Sequence, residues 1–391
     1  MILYICHFCH DNILYHFHYF RHHIIKPKST IKYGKSYIDL PCRAVVQMTT
    51  DALAADTGPE GGIQCLSVKK KGEFDYFHGT RPVVTDCIAG IPNWNMHHFR
   101  AYGLSQSLYD FDPENQTLSG EPNADAFAVV ARENNAFLAV ADGVNWGEKP
   151  FMAARSAVKG CIEYLSDHIH KACNTQEIAK VMLCSFKHAQ SCIIDNEATL
   201  TTLCAAVVCK LQDIDCYGLC VVNVGDSLAY VYRKEGLYVE EVTYGSHENK
   251  TRDMRTTGGC LGPSDGYNPD LTNLTCSFTF VEEGDIVFLT TDGISDNFDP
   301  VVLKKSTDEV KKLVNPVKNC TKSEETLLTD GHVGITAVER IKKLEFKRPR
   351  SYSEPPDSKQ KSEPINSDIL TIDEHRNYAC ELMKKVRKIQ S

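Results

Sequence analysis

The chain reads as an α+β protein in which helices cover antiparallel sheets. Three observations predict this: two apolar runs joined by a short polar step near Asn134, two successive stretches with apolar residues at i, i+3 and i+4, and a return to short β-prone runs after Thr199.

The first regular segment, "DAFAVVARENNAFLAVADG" from Asp125 to Gly143, reads as a hairpin. Its strands are continuous apolar runs, and Asn134-Asn135 between them tolerates the left-handed backbone that tight hairpin turns use. Next, Ala154, Ala157, Val158, Cys161, Ile162, Leu165 and Ile169 make one buried face of an amphipathic helix. A second helix follows, with Asn174 as its N-cap and Ile178, Val181, Met182, Phe186, Ala189 and Ile193 along one side. Strands then return in "TLTTLCAAVVCKL", "CYGLCVVNVGDSLAYVYR", "GLYVEEVT", "TCSFTFV" and "DIVFLTTDG", each bounded by Gly, Asp or charged turns.

Outside this region the pattern weakens. Residues 1–47 read as a poorly structured leader, with Met48 as an alternative start, and 48–101 as an N-terminal extension. The leader carries Cys6-x-x-Cys9 followed by His10, His16, His18, His22 and His23, ligand types that zinc uses, but no second ligand pair follows at zinc spacing. It is too interrupted by polar residues to span a membrane and lacks the basic start of a secretory signal. Residues 346–368, "FKRPRSYSEPPDSKQKSEPINSD", are rich in Pro, Ser, Lys and Glu and read as a flexible linker. Residues 369–391 read as a basic amphipathic helix, with Thr371 and Glu374 at capping-box spacing and Ala379, Leu382, Met383, Val386 and Ile389 as its apolar stripe.

The 391 residues, 42% of them hydrophobic, suffice for a sizeable core. A formal charge of -8 argues against nucleic acid or an anionic membrane as the main partner. The 17 cysteines sit largely inside apolar runs, where a thiol is a small hydrophobe, so a reducing compartment is expected, cytoplasmic or nuclear. In that setting the Asn-x-Thr triplets at Asn115 and Asn273 carry little weight.

Two apolar strands end in the same dipeptide, Asp142-Gly143 and Asp292-Gly293. With Asp125 at the head of the first strand, Asp226 in "VNVGDSLAY" and Asp296, they place five acids at strand ends. If those ends converge, mutual repulsion raises the carboxylate pKa values unless cations neutralise the cluster. An oxygen-only donor set suits Mg²⁺ or Mn²⁺ rather than Zn²⁺.

In order, "PNADAF", "VADGVNWG", "TTLCAAVV", "VNVGDSLAYVYR", "GGCLG" and "LTTDGISD" resemble the metal-dependent protein phosphatases of the protein phosphatase 2C type, within a domain placed at 102–345. The resemblance implies a four-layer α-β-β-α sandwich of two antiparallel sheets flanked by helices. It implies two Mg²⁺ or Mn²⁺ ions: Asp142 bridging them, Gly143 offering its carbonyl to one, Asp292 binding the other, and Asp125 holding a metal-bound water. Asp226 and Asp296 match acids that hold a third, looser ion in many members. The implied reaction is hydrolysis of phosphoserine or phosphothreonine in a protein substrate by a hydroxide shared between the two ions, with Asp142 and Asp292 at its centre.

The chain also departs from that pattern. Ala124 stands where the family often has an acid or amide, and Val144 stands where it has a histidine proposed as general acid. The phosphate-binding arginine of eukaryotic members has no clear counterpart, since Arg100 precedes Tyr102. The closing strand, whose Asp is a metal ligand, is expected to be missing and to leave a sheet edge unpaired; "DGHVGITAVER" from Asp330 matches it only superficially. An alternative reading is therefore a weak or inactive pseudophosphatase that keeps the fold as a regulatory binding module. In the linker, Arg348-Pro-Arg350-Ser351-Tyr352-Ser353-Glu354-Pro355 resembles a basophilic kinase site, and phosphorylated Ser353 resembles a 14-3-3 docking motif.

Overall fold

The computed structural model describes residues 2–7, 31–59, 61–67, 87–94, 96, 100–107, 111–114, 117–118, 120–235, 238–243 and 256–297. Strands before the helices are β1 (Ile2–His7), β2 (Lys32–Gly34), β3 (Ala52–Gly58), β4 (Ala101–Ser105), β5 (Phe111–Asp112), β6 (Thr117–Leu118), β7 (Asp125–Arg132) and β8 (Asn135–Asp142). Helices α1 (Glu148–His168) and α2 (Thr175–Asp195) follow. Then come β9 (Leu203–Lys210), β10 (Tyr217–Val224), β11 (Leu228–Arg233), β12 (Tyr238–Glu241), β13 (Thr275–Val281), β14 (Ile286–Thr290) and the single turn α3 (Asp292–Ser295).

Two antiparallel sheets carry the fold. A seven-stranded sheet runs β2-β13-β10-β9-β8-β7-β3 and a five-stranded sheet runs β12-β11-β14-β1-β4, with β5-β6 as a separate ribbon. Strand parity shows how they stack. In β8, Phe137, Ala139 and Ala141 join the core beneath the helices, while Ala136, Leu138 and Val140 join the core shared with the five-stranded sheet. A strand buried on both faces needs a continuous apolar run, which is why β7 and β8 do not alternate with polar residues. The result is α+β with face-packed sheets. Helices, large sheet and small sheet make three layers, and among the described residues no helices cover the outer face of the small sheet.

The helices form where their spacing predicts. Every named apolar position of α1 and Ile169 beyond it is buried. Asn174 caps α2, its side chain accepting from the Glu177 amide at 2.9 Å, and Val181 sits at the edge of the buried stripe. None of the described helices is long and apolar enough to cross a membrane. Every cysteine among those whose side chains are described is free; burial pushes Cys161 up to about 12, so it behaves as core rather than as nucleophile.

Several expectations are corrected. The hairpin turns at Glu133-Asn134, and no left-handed residue is found there. Asn134 instead spends its side chain on the incoming chain, accepting from the Thr49 amide at 3.0 Å and donating to the Gln47 carbonyl at 2.9 Å. The segment read as a leader contributes β1 and β2 to the two sheets, and β3 of the presumed extension is an edge of the large sheet, so the folded unit starts well before residue 102. The edge expected to stand open beside β14 is filled, because β1 pairs with β14 on one side and β4 on the other. Most of the Cys/His leader, the candidate closing strand at Asp330, the linker with Ser353 and the helix at 369–391 lie outside the described residues.

Candidate metal centre

Asp125 and Asp142 face each other across the β7-β8 ladder as a register pair. Their parity matches Phe127, Val129, Leu138 and Val140, so both point into the space between the sheets. Like charges directly opposite on one sheet face are destabilising, so something must offset this pair. From the other sheet β14 delivers Asp292, the first residue of α3. The three carboxyls come close enough that the charges of Asp125 and Asp292 both act on Asp142.

Asp226 comes from a third direction. β10 belongs to the large sheet and β11 to the small one, and Gly225-Asp226-Ser227 is the turn that crosses between them. Gly225 has φ of 102°, the left-handed region, and a Cβ there would lie 2.5 Å from the Thr202 methyl. The Asn273 side chain clamps this turn, accepting from the Gly225 amide at 3.0 Å and donating to its carbonyl at 2.9 Å. Asp226 is 4% exposed and Asp296, closing α3, is 7% exposed.

Asp125, Asp142 and Asp292 keep part of their surface accessible, yet the packed sheet ends strip water from the first two. Loss of solvation holds the Asp142 carboxyl well above its ordinary 3.8, and the charges of Asp125, Asp292 and Asp226 push it the same way. Burial also raises Asp125, with the charge of Asp292 adding to it.

The supporting contacts are specific. Thr202 accepts from the Asp142 amide at 3.0 Å through its hydroxyl, which also meets Ser227 Oγ at 2.8 Å. Thr201 donates from its hydroxyl to the Asp142 carbonyl at 2.9 Å. Gly143 donates its amide to the Ala124 carbonyl at 3.1 Å, and a Cβ on it would sit 2.4 Å from the Pro150 carbonyl, so only glycine lets α1 begin this close. Arg155 is fully buried on α1, its ring-side contact being Phe151 at 3.5 Å. It donates to the carbonyls of Asn123 at 3.1 Å, Asp125 at 3.3 Å and Pro59 at 3.0 Å, fixing the backbone that carries Asp125.

All five sequence-predicted acids are placed: Asp125, Asp142 and Asp292 converge, Asp226 is within their electrostatic reach, and Asp296 sits one turn beyond Asp292, whereas the phosphosite Ser353 lies outside the described residues. Thr201, Thr202, Ser227 and Arg155 carry supporting roles that the motif reading did not assign. Arg155 was visible as a charge inside the apolar stripe of α1. The histidines whose side chains are described, His168, His170 and His188, all belong to the helix layer, so none stands in for Val144.

An oxygen-only set of carboxyls with one backbone carbonyl fits a hard dication. As positioned, the acids close on one another, and among the described residues no group of three His, Cys, Asp or Glu side chains is placed to hold an ion. Burial and mutual charge raise Asp125 and Asp142, so an ion held there would need these two carboxyls ionised.

A family model described as protein phosphatase 2C matches residues 115–329. The PP2C-like domain-containing protein CG9801 of Drosophila melanogaster is 48% identical over 226 residues, which is 56% of this chain and 32% of that protein. The chain therefore spans about a third of the length of that relative. Among solved structures, PppA of Pseudomonas aeruginosa, described as a key regulatory component of T6SS, is 14% identical, with 50% of this chain and 78% of that one covered at a TM-score of 0.34. The serine/threonine phosphatase PstP/Ppp of Mycobacterium tuberculosis is 16% identical, with 51% and 81% covered at 0.31.

Proposed function

This chain belongs to the protein phosphatase 2C family, and from that premise we propose that it is a metal-dependent phosphatase of phosphoserine and phosphothreonine in proteins. The observation that carries the reading is the register pair Asp125-Asp142, joined by Asp292 from the opposite sheet. Three acids driven together from three strand ends are costly unless cations are their normal complement.

Asp125, Asp142, Asp292 and the Gly143 carbonyl would hold two Mg²⁺ or Mn²⁺ ions, with Asp226 and Asp296 toward a third. Bound there, the ions supply charge neutralisation at the phosphoryl oxygens and a nucleophile at neutral pH. Thr201 and Thr202 lock Asp142 in place, and Arg155 does the same for Asp125, so the donors are preorganised rather than gathered by the ion. With Val144 in the loop, no imidazole among the described residues stands where it could protonate the leaving alkoxide, and on this reading that proton comes from water. Loss of a general acid is worth about 10²- to 10⁴-fold, so slow turnover is expected.

A second reading has its own observation. β1 occupies the place beside β14, and its sequence "ILYICH" brings no carboxylate to the end where Asp292 lies. That favours a pseudophosphatase that keeps the fold for binding. The deciding experiment is hydrolysis of a phosphothreonine peptide with millimolar Mn²⁺ by the native sequence and by Asp142→Ala with Asp292→Ala. Activity lost in the double variant supports the phosphatase; a folded native protein without activity leaves the binding module. The Arg348–Pro355 motif supports a further role, docking of 14-3-3 once Ser353 is phosphorylated. A phosphopeptide spanning Lys347 to Pro356 that fails to bind at micromolar concentration would end that idea.

A further inference from the structure

Between α2 and the segment 261–274 lies a groove of about 490 Å³, within the range of small-molecule sites. Its apolar lining includes Leu183, Phe186, Leu261 and Leu274, and none of its lining residues is acidic. The α2 wall is a single helical stripe: Lys180, Leu183, Cys184, Lys187 and Gln190 recur at i, i+3, i+4, i+7 and i+10. Two lysines seven residues apart stand about 10 Å from each other at the two ends of the apolar patch. Lys35 reaches the groove from the facing wall, where its ammonium donates to the Thr272 carbonyl at 3.4 Å. The Lys180 ammonium lies 6.0 Å over the Tyr37 ring, and among the described residues neither Lys180 nor Lys187 has a carboxylate partner.

Three cations around an uncharged floor, on a chain whose formal charge is -8, select by sign as well as by polarity. Lysines act as point charges, and the groove has no arginine fork to grip a phosphate in bidentate fashion. We propose that this groove is a binding site for a monomeric amphipathic carboxylate, its aliphatic body on Leu183, Phe186, Leu261 and Leu274 and its head among Lys35, Lys180 and Lys187.

The groove wall is also the support of the acidic cluster. Leu261 pairs with Thr201 through both backbone bonds, at 3.0 and 2.8 Å, and Thr201 holds the Asp142 carbonyl. Asn273, beside the lining residue Leu274, clamps the turn that carries Asp226. Gln190 ties α2 to the same segment, accepting from the Gly262 amide at 2.6 Å. A ligand seated here therefore presses on the residues that position two of the acids.

The test needs neither metal nor turnover, so it stands apart from the phosphatase reading. Dodecanoate, below its micelle concentration, is titrated calorimetrically into the full chain, with dodecyltrimethylammonium as the opposite-charge control. Saturable one-to-one binding of dodecanoate is expected, with the cationic control weaker. Lys180→Glu with Lys187→Glu, both on the exposed side of α2, should weaken dodecanoate about tenfold or more and favour the cationic control, by the sum of two lost and reversed ion pairs. Leu183→Trp should fill the groove and reduce both. No saturable binding by the native sequence, equal binding of the two amphiphiles, or unchanged affinity in the folded double variant would overturn the proposal.

Discussion

Asp142 is the residue on which the acids depend, since it feels the charges of Asp125, Asp292 and Asp226 and is fixed at its own amide and carbonyl. Its raised pKa has a definite sign. A carboxyl held above its unfolded value contributes stability that is complete below about pH 3.8 and is lost as pH rises through the raised value. Chelated protein should therefore be less stable to urea at about pH 7.5 than at about pH 5 through this group, and Asp142→Asn should flatten that slope. If Asp142 helps to hold an ion as proposed, the same variant should abolish any stabilisation by Mn²⁺ at neutral pH, because an amide cannot replace the lost charge. Thr202→Val removes the acceptor of the Asp142 amide and the partner of Ser227. It should cost about 1–3 kcal/mol in urea unfolding and weaken Mn²⁺ binding measured by titration.

At the scale of elements, the approach of α1 to the end of β8 sets the geometry of the centre. Gly143→Ala places a methyl against the Pro150 carbonyl, a backbone atom that yields only if α1 moves. The expected cost is about 1–3 kcal/mol, read by urea unfolding, together with weaker Mn²⁺ binding as the Asp142-Gly143 step is pushed aside. The elements were the most readable part of the sequence. The hairpin, both helices and the later strands follow from apolar spacing and caps, because each is decided by which faces are buried. The hairpin turn was misread since Asn-Asn suggests left-handed backbone, whereas Asn134 is retained here for its contacts with Gln47 and Thr49. Contacts between distant segments leave no local periodicity. For the same reason β1, which pairs with β14 and β4, and β2, which pairs with β13, could not be read from their own composition, since every one of those partners is distant in sequence.

For the whole molecule, β14 joins two kinds of aspartate. Asp292 leaves its end toward the acids, and Asp285 stands before its start in a buried network with Arg233. Arg233 donates to Asp285 at 3.0 Å, to Glu240 at 2.6 Å and to the Phe280 carbonyl on the other sheet at 2.6 Å, so it staples the sheets together. The staple lies at the opposite end of β11 from Asp226, about 17 Å along the strand. Arg233→Met leaves two buried carboxylates without their cation and should destabilise by about 3–5 kcal/mol in urea unfolding. Mn²⁺ affinity of the folded fraction should stay unchanged, which separates the staple from the centre. The acid motifs were readable because a carboxylate at the end of an apolar strand breaks the local pattern. The staple was not, since an Arg at a strand end looks like any solvated boundary until the two sheets are stacked.

The direct opposition of Asp125 and Asp142 also ties ion binding to the correctness of the hairpin. A slip of one residue would turn one of the two strands over, sending its carboxyl toward the helices while the other stayed between the sheets. A cation that needs both acids recognises only the correct alignment, and by mass action it draws misaligned chains toward it. The ion would then serve the newly made chain as a proofreader before it serves any substrate.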